Sequence, residues 1–214
     1  LGNQLPKLTQ QIHYEVIPAK PEWQALEKKE ITMLPSDQGP SKLIFPGTFN
    51  PLHEGHRKMQ DIAEKKINTP VTYEVSITNV EKTSLSYFEI QKLLDQFASN
   101  DRWVLTNAPT FAEKVRIFND STFILGMDTL IRIFDKKFYD SKEIFHRTLE
   151  EFNTSNARFL VFGRQIDDTF KTLNELAIPS ELRDRFVGIS ESEFRLDISS
   201  RDIKKHQEET KIPA

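Results

Sequence analysis

The chain has 214 residues, enough for one well-buried domain, or one domain and an appendage, but short for two catalytic domains. It carries 29 basic and 32 acidic residues, and this net charge of −3 gives no reason to expect nucleic acid or an anionic membrane as partner. It has no cysteine, which excludes disulfides, thiolate nucleophiles and cysteine-based zinc sites.

The sequence also bears on where the protein works. No uninterrupted apolar stretch approaches the roughly 20 residues that a membrane span needs, and the N-terminus lacks a basic segment followed by an apolar one. We therefore expect a cytoplasmic protein. The first residue is Leu1 rather than Met, so the chain is compatible with a lost upstream domain, and the sequence is equally compatible with a homo-oligomer.

Residues 1–40 differ in composition from the rest of the chain. Five of the eleven prolines lie before Ser41, and residues 21–29 form one short helical candidate with Pro21 in its first position. This composition predicts an N-terminal arm or linker. Such a segment could pack on the main domain, support dimerisation or be the tail of a lost neighbour.

From Ser41 onward, short apolar runs alternate with amphipathic helical stretches, a pattern typical of a parallel α/β sheet. The predicted strands are residues 42–45, 71–78, 103–105, 123–126, 158–162 and 186–189. The predicted helices include one that turns Met59, Ile62, Ala63 and Ile67 toward the sheet, two that follow capping boxes at 86–89 and 110–113, and one over 141–152. The sequence thus predicts, over residues 41–214, a Rossmann-like open parallel sheet with helices on both faces.

Chemistry-bearing residues are concentrated in the segment that follows the first predicted strand, residues 47–56. Because it lies at the carboxyl end of a strand in an open α/β sheet, this segment is where a ligand is expected. Gly47 lets the backbone approach a phosphate, and Thr48 offers a hydroxyl. His53 and His56 lie three residues apart at the start of the next helix, so both rings lie near its positive end.

This arrangement suits nucleotidyl transfer, in which an ionised phosphate attacks the α-phosphorus of ATP and pyrophosphate leaves. Either histidine alone would more often be a surface or helix-capping residue than a catalyst. The two histidines are one residue too close, with Gly55 between them, for the H-E-x-x-H motif of zinc proteases.

The segment resembles the signature of the nucleotidyltransferase superfamily that contains the nicotinamide mononucleotide adenylyltransferases: Gly-Thr/Ser-Phe-Asn/Asp-Pro, then His/Thr-x-Gly-His. The resemblance implies that Gly47, Thr48 and Phe49 line the phosphates of the nucleotide. It implies further that His53 and His56 contact these phosphates, with His56 as the main stabiliser of the transition state. The fold implied is the nucleotidyltransferase type of Rossmann sheet.

Two later segments are similar to motifs of the same family. Gly126 and Asp128 match a Gly-x-Asp motif at the end of the fourth strand, where the aspartate helps to hold the nucleotide; Asp128 could instead only cap the next helix. Residues 128–135 also resemble a branch found as stand-alone fungal proteins and as plant domains fused to CinA-like modules.

Residues 198–204 resemble the family's Ile-Ser-Ser-Thr-x-Ile-Arg motif, although an ordinary serine-capped helix is the alternative. The resemblance implies a catalytic cation at Lys204 and nucleotide-binding roles for Ile198, Ser199, Ser200 and Arg201. Arg201 replaces the usual threonine and Lys204 the usual arginine. Because lysine lacks the bidentate fork of arginine, phosphate binding could be weaker, unless Arg201 compensates.

Weaker candidates for binding the second substrate are Asn79 and Lys82, after the second strand, and Arg164, after the fifth; solvated surface side chains are the alternative. No residues are predicted to hold a metal, and Mg²⁺ is expected to arrive with ATP. The resemblance implies an adenylyltransferase that joins ATP to nicotinamide mononucleotide or its acid form, nicotinate mononucleotide. Use of CTP or of another acceptor, and a module that binds ATP without turnover, stay open.

Overall fold

A seven-stranded sheet organises the part of the chain that the computed structural model describes, residues 16, 18–78, 84–166 and 169–195. Its strands are β1 (Met33–Pro35), β2 (Leu43–Pro46), β3 (Val71–Ser76), β4 (Arg102–Thr106), β5 (Thr122–Gly126), β6 (Arg158–Phe162) and β9 (Phe186–Ile189). A separate two-stranded ladder joins β7 (Arg164–Ile166) and β8 (Thr169–Lys171). The six strands predicted from the sequence are therefore all present.

Six α-helices accompany the strands within the described residues. They are α1 (Pro21–Glu27), α2 (Glu54–Ile67), α3 (Tyr87–Leu94), α4 (Phe111–Ile117), α5 (Met127–Phe134) and α6 (Lys142–Thr154). The capping boxes predicted for α3 and α4 are confirmed. The backbone amides of Ser86 and Thr110 donate to the carboxylates of Glu89 and Glu113 at 2.8 and 2.9 Å. None of the described helices is long and apolar enough to cross a lipid bilayer.

The order of the strands across the sheet is β1-β4-β3-β2-β5-β6-β9, and every neighbouring pair except β1 and β4 is parallel. From β2 the chain moves outward in one direction through β3 and β4. It then returns to β5 and moves outward the other way. The sheet therefore has a topological switch point between β2 and β5, the place where this architecture binds ligands.

Helices cover both faces of the sheet, as predicted, because alternate side chains of each strand belong to different cores. Leu43 and Phe45 of β2 pack in the core that also holds side chains of α1, α2 and α3. Ile44, between them, packs in the core under α4, α5 and α6. The Rossmann-like fold is confirmed.

Part of the N-terminal segment packs on this sheet. Trp23 and Leu26 of α1 are 2% and 0% exposed, and β1 pairs antiparallel with β4 at the sheet edge. The side-chain amide of Asn107 donates to the carbonyls of Leu26 and Glu27, both at 3.1 Å, which caps the end of α1. No strand was predicted before residue 41, so β1 is a correction to the sequence analysis. The domain boundary at residue 40 stays a prediction.

Candidate active site

The candidate site lies at the carboxyl ends of β2 and β5, at the switch point. The β2–α2 loop (residues 47–53) leaves the sheet there, and α2 begins at Glu54 with His53 as its N-cap residue. α2 is 14 residues long, and the first amides of such a helix have no partner within it. These amides and the helix dipole favour an anion at this position.

The core anchors the start of this loop. The amide of Gly47 donates to the carbonyl of Glu74 in β3 at 3.0 Å. The Phe49 ring is 1% exposed, and its centroid lies 5.3 Å from that of Phe45 and 5.0 Å from that of Tyr73. The ring therefore holds the loop from below, and Phe49 can offer a phosphate only its backbone.

Gly47 is required for a reason that the sequence did not reveal. A Cβ at this position would lie 2.6 Å from the Cζ atom of Phe49, too close for any side chain. The glycine therefore leaves room for the buried anchor of its own loop. Thr48, between the two, is exposed and free of this constraint.

The two histidines form a tight pair at the start of α2. Their ring centroids lie 3.7 Å apart with an interplanar angle of 24°. The backbone amide of His53 donates to Nδ1 of His56 at 3.3 Å. Since Nδ1 accepts, the proton of a neutral His56 ring lies on Nε2, which makes Nε2 a hydrogen-bond donor. Nδ1 of His53 is buried and has no hydrogen-bond partner among the described residues.

Both imidazoles are held neutral. Burial lowers the pKa of His53, and the charge of Arg164 lowers it further. Burial also lowers the pKa of His56 to about 3, with His53, Arg164 and Arg57 acting in the same direction. At neutral pH the pair therefore offers N–H donors and no net charge. Positive potential comes instead from the helix N-terminus and the nearby guanidinium groups.

Arg164 lies in this group of residues. Its Nε atom is 3.7 Å from Oδ1 of Asp128, in the first turn of α5. Gly126 occupies the N-cap position of α5, so Asp128 is not the capping residue. A Cβ on Gly126 would lie 2.5 Å from Oδ1 of Asp128, and the glycine thus leaves room for that carboxylate.

One small recess collects these side chains. The residues that line it are His53, Gly55, His56, Met59, Gly126, Phe162, Gly163, Arg164 and Phe194. The structure thereby brings together both predicted histidines, the predicted Gly-x-Asp segment and Arg164, which was predicted to bind the acceptor. Its place beside Asp128 and the histidines associates it with the predicted nucleotide-binding residues. Its role as an acceptor ligand stays a prediction.

The remaining predicted site residues lie outside the described residues, and their roles stay predictions. They are Asn79, Lys82, Ile198, Ser199, Ser200, Arg201 and Lys204.

Three residues around the site were missed by the sequence analysis: Arg57, Gln96 and Phe194. Arg57 forms a bidentate ion pair with Asp101, with N–O distances of 2.7 and 2.6 Å. Phe194 lines the recess and packs on Phe162, with the two ring centroids 5.1 Å apart. The only local signal was the position of Arg57 directly after His56. Gln96 and Phe194 reach the site from distant parts of the chain.

Comparison with known protein families agrees with this geometry. A family model described as cytidylyltransferase-like matches residues 44–206, more than half of the chain and all of the described site residues. A search of curated proteins found no match. The family match supports a nucleotidyltransferase activity in general and confirms the superfamily that the motifs indicated. The chain belongs to the cytidylyltransferase-like family of nucleotidyltransferases.

Proposed function

We propose that the protein transfers AMP from ATP to nicotinamide mononucleotide or nicotinate mononucleotide and releases pyrophosphate. The observation that carries the proposal is the stacked, neutral pair of His53 and His56 at the N-terminus of α2, with Arg164 beside it. The family match supports the reaction type. The choice of ATP and of a pyridine mononucleotide is supported by the resemblance of residues 47–56 and 126–128 to the adenylyltransferase motifs.

The proposed reaction needs no side-chain nucleophile. A phosphate oxygen of the acceptor, already ionised, forms a bond to the α-phosphorus of ATP. The bond from that phosphorus to the oxygen that bridges it to the β-phosphorus breaks, and pyrophosphate leaves with this oxygen and its electron pair. Catalysis then consists of holding the groups in line and stabilising the charge that builds on the phosphoryl oxygens.

The described residues supply donors for this task. In the proposed complex, Nε2 of His56 donates to an oxygen of the transferring phosphoryl group, and the free amides at the start of α2 face the neighbouring phosphates. Arg164, which lines the same recess as the two histidines, contributes a full positive charge. Its side chain is half-buried, and its Nε atom lies 3.7 Å from Oδ1 of Asp128.

Mg²⁺ enters the proposal as part of the nucleotide complex. The described part of the chain contains no cluster of three or more His, Asp or Glu side chains placed to hold a metal ion. In the proposed reaction Mg²⁺ would stay bound to triphosphate oxygens and waters, where it would share the charge of the leaving pyrophosphate. Among the described residues, Asp128 places a carboxylate beside Arg164, where it would bind a water of such an ion.

The experiment that tests the proposal is pyrophosphate release from Mg·ATP and, in parallel, from Mg·CTP. Each nucleotide is combined with nicotinamide mononucleotide, nicotinate mononucleotide, phosphopantetheine or no acceptor. We expect release only with ATP and a pyridine mononucleotide, together with the dinucleotide product in a mass spectrum.

Other outcomes would replace the proposal with a defined alternative. Release from CTP alone, which the description of the family favours, or release only with phosphopantetheine would overturn the proposed substrates. Silence in every reaction, with ATP still bound in a calorimeter, would indicate a nucleotide-binding module without turnover.

A further inference from the structure

A glutamine from a distant part of the chain forms hydrogen bonds to the backbone of the β2–α2 loop. The side-chain nitrogen of Gln96 donates to the carbonyl of Phe49 at 3.1 Å. The side-chain oxygen of the same amide accepts from the backbone amide of Leu52 at 2.8 Å. One side chain thus ties two backbone groups on either side of Asn50 and Pro51, in a stretch that belongs to neither β2 nor α2.

The residues that follow Gln96 contact the same region. The Phe97 ring packs on Phe49 and Tyr73, with centroid distances of 6.2 and 5.1 Å. The carboxylate of Asp101 accepts hydrogen bonds from both terminal nitrogens of Arg57, the residue after His56. It also accepts one from the backbone amide of Ala98 at 2.8 Å. The α3–β4 connector (residues 95–101) therefore holds the chain before and after the two histidines.

We infer that Gln96 is a positioning residue that sets the backbone of residues 49–52 and, through it, the placement of His53 and His56 toward the nucleotide phosphates. The loop leads directly into the N-cap residue His53, so a displacement of Leu52 is passed to both rings. In transfer reactions a misplacement of about 1 Å can cost roughly 10²-fold in rate. The inference rests on the proposed function, because that function assigns the histidines to phosphate.

Two variants test the two hydrogen bonds that Gln96 makes to the loop. Gln96→Leu removes both. Gln96→Glu keeps the acceptor for the Leu52 amide but sets a carboxylate oxygen against the Phe49 carbonyl, with almost no change in shape. The matched control is Gln91→Ala, on α3, where the lost side chain bonds the exposed Asp95 at 2.7 Å. Circular dichroism and thermal unfolding establish that each variant is folded.

The first readout is the titration of the His56 ring by NMR, which needs no turnover. In the wild type the pKa of this ring is low because of burial and the neighbouring His53, Arg164 and Arg57. Once the loop is released the ring gains solvent, so we expect its pKa to rise by about one unit or more toward 6.5. The second readout is the Kd of Mg·ATP by calorimetry, expected to rise about tenfold, which corresponds to about 1.4 kcal/mol.

The outcomes separate positioning from plain stability. Folded Gln96→Glu with the wild-type His56 titration and wild-type ATP affinity would overturn the inference. A lower unfolding temperature with an unchanged His56 pKa would do the same, because it would show a merely structural role. Changes in both readouts for the Gln96 variants, and in neither for Gln91→Ala, support the inference even if no acceptor yields pyrophosphate. That last result would count against the proposed function alone.

Discussion

Replacement of His56 by alanine tests the proposed chemistry most directly. The ring offers the site one N–H donor, at Nε2, because its Nδ1 already accepts from the His53 backbone amide. Removal of one preorganised donor to a developing oxyanion costs roughly 10²- to 10³-fold in rate, or about 2.7–4 kcal/mol. We therefore expect kcat for pyrophosphate release to fall by that factor in His56→Ala.

Stability must be measured beside the rate, since the ring is also packed. Its centroid lies 3.7 Å from that of His53, 5.0 Å from that of Phe49 and 5.9 Å from that of Phe45. Deleting a ring in such contacts is expected to lower the free energy of unfolding by about 1–3 kcal/mol. Rates are accordingly compared well below the unfolding temperature of the variant.

Two further variants isolate the donor. His56→Gln places an amide N–H near the former position of Nε2 and should recover part of the lost rate. His146→Ala removes an exposed histidine on α6 and should leave the rate unchanged. Because His56 is neutral at pH 7, the ratio of wild-type to His56→Ala rates should not depend on salt. A folded His56→Ala with the wild-type rate would refute the role of His56, and a salt-sensitive ratio would refute its neutrality.

Three other predictions follow from the described contacts. Arg164→Gln should raise the Kd of Mg·ATP about tenfold. NMR titration of this variant should show higher pKa values for His53 and His56, because the Arg164 charge lowers both. An unchanged Kd would show that Arg164 is not part of the nucleotide site. Lys114→Met should lower the free energy of unfolding, measured in urea, by about 3–5 kcal/mol. The Glu74 carboxylate is 0% exposed and would lose the positive charge of Lys114, which bonds it at 2.7 Å, and would keep only the hydroxyl of Thr106. Lys114→Met with Glu74→Leu should restore most of the loss, and an equal loss in the double variant would contradict this reasoning. The pKa of His56 is about 3 in the folded chain and 6.5 in the unfolded chain, so the unfolded state binds the proton first as the pH falls. The free energy of unfolding should therefore decline as the pH falls from 6.5 toward 3. In urea titrations His56→Leu should show a shallower decline.

The sequence predicted those parts of the fold that have local signals. Buried strands such as β6 are continuous apolar runs, and α3 and α4 each begin with a serine or threonine followed three residues later by glutamate. β1 has no such signal. It is three residues long, ends in Pro35 and is formed by pairing with β4, some 70 residues later in the chain. The β7–β8 ladder was also missed, and each of its strands is only three residues long.

The site shows the same division between local and distant information. The histidines and the β2–α2 loop were found because they are adjacent in sequence, and the spacing of the two histidines at the start of a helix places them near each other. The partners that place them are distant: Gln96 is 47 residues from Phe49, and Asp101 is 44 residues from Arg57. The structure also adds a reason for Gly47 that the sequence did not show, because the burial of the Phe49 ring depends on the packing of the whole β2–β3 region.

The neutrality of the histidines matters for the proposed reaction. A charged pair would bind the triphosphate and the released pyrophosphate strongly in every state, and binding that is equal in substrate and transition state does not raise kcat. The hydrogen bond from a neutral N–H donor that the backbone holds in place strengthens most where the charge on the accepting oxygen increases, which is at the transferring phosphoryl group. Burial by Phe45 and Phe49, together with the charges of Arg164 and Arg57, keeps the His56 ring in that state. The aromatic anchor of the loop thus has a chemical consequence, since it maintains the protonation state on which the proposed catalysis depends.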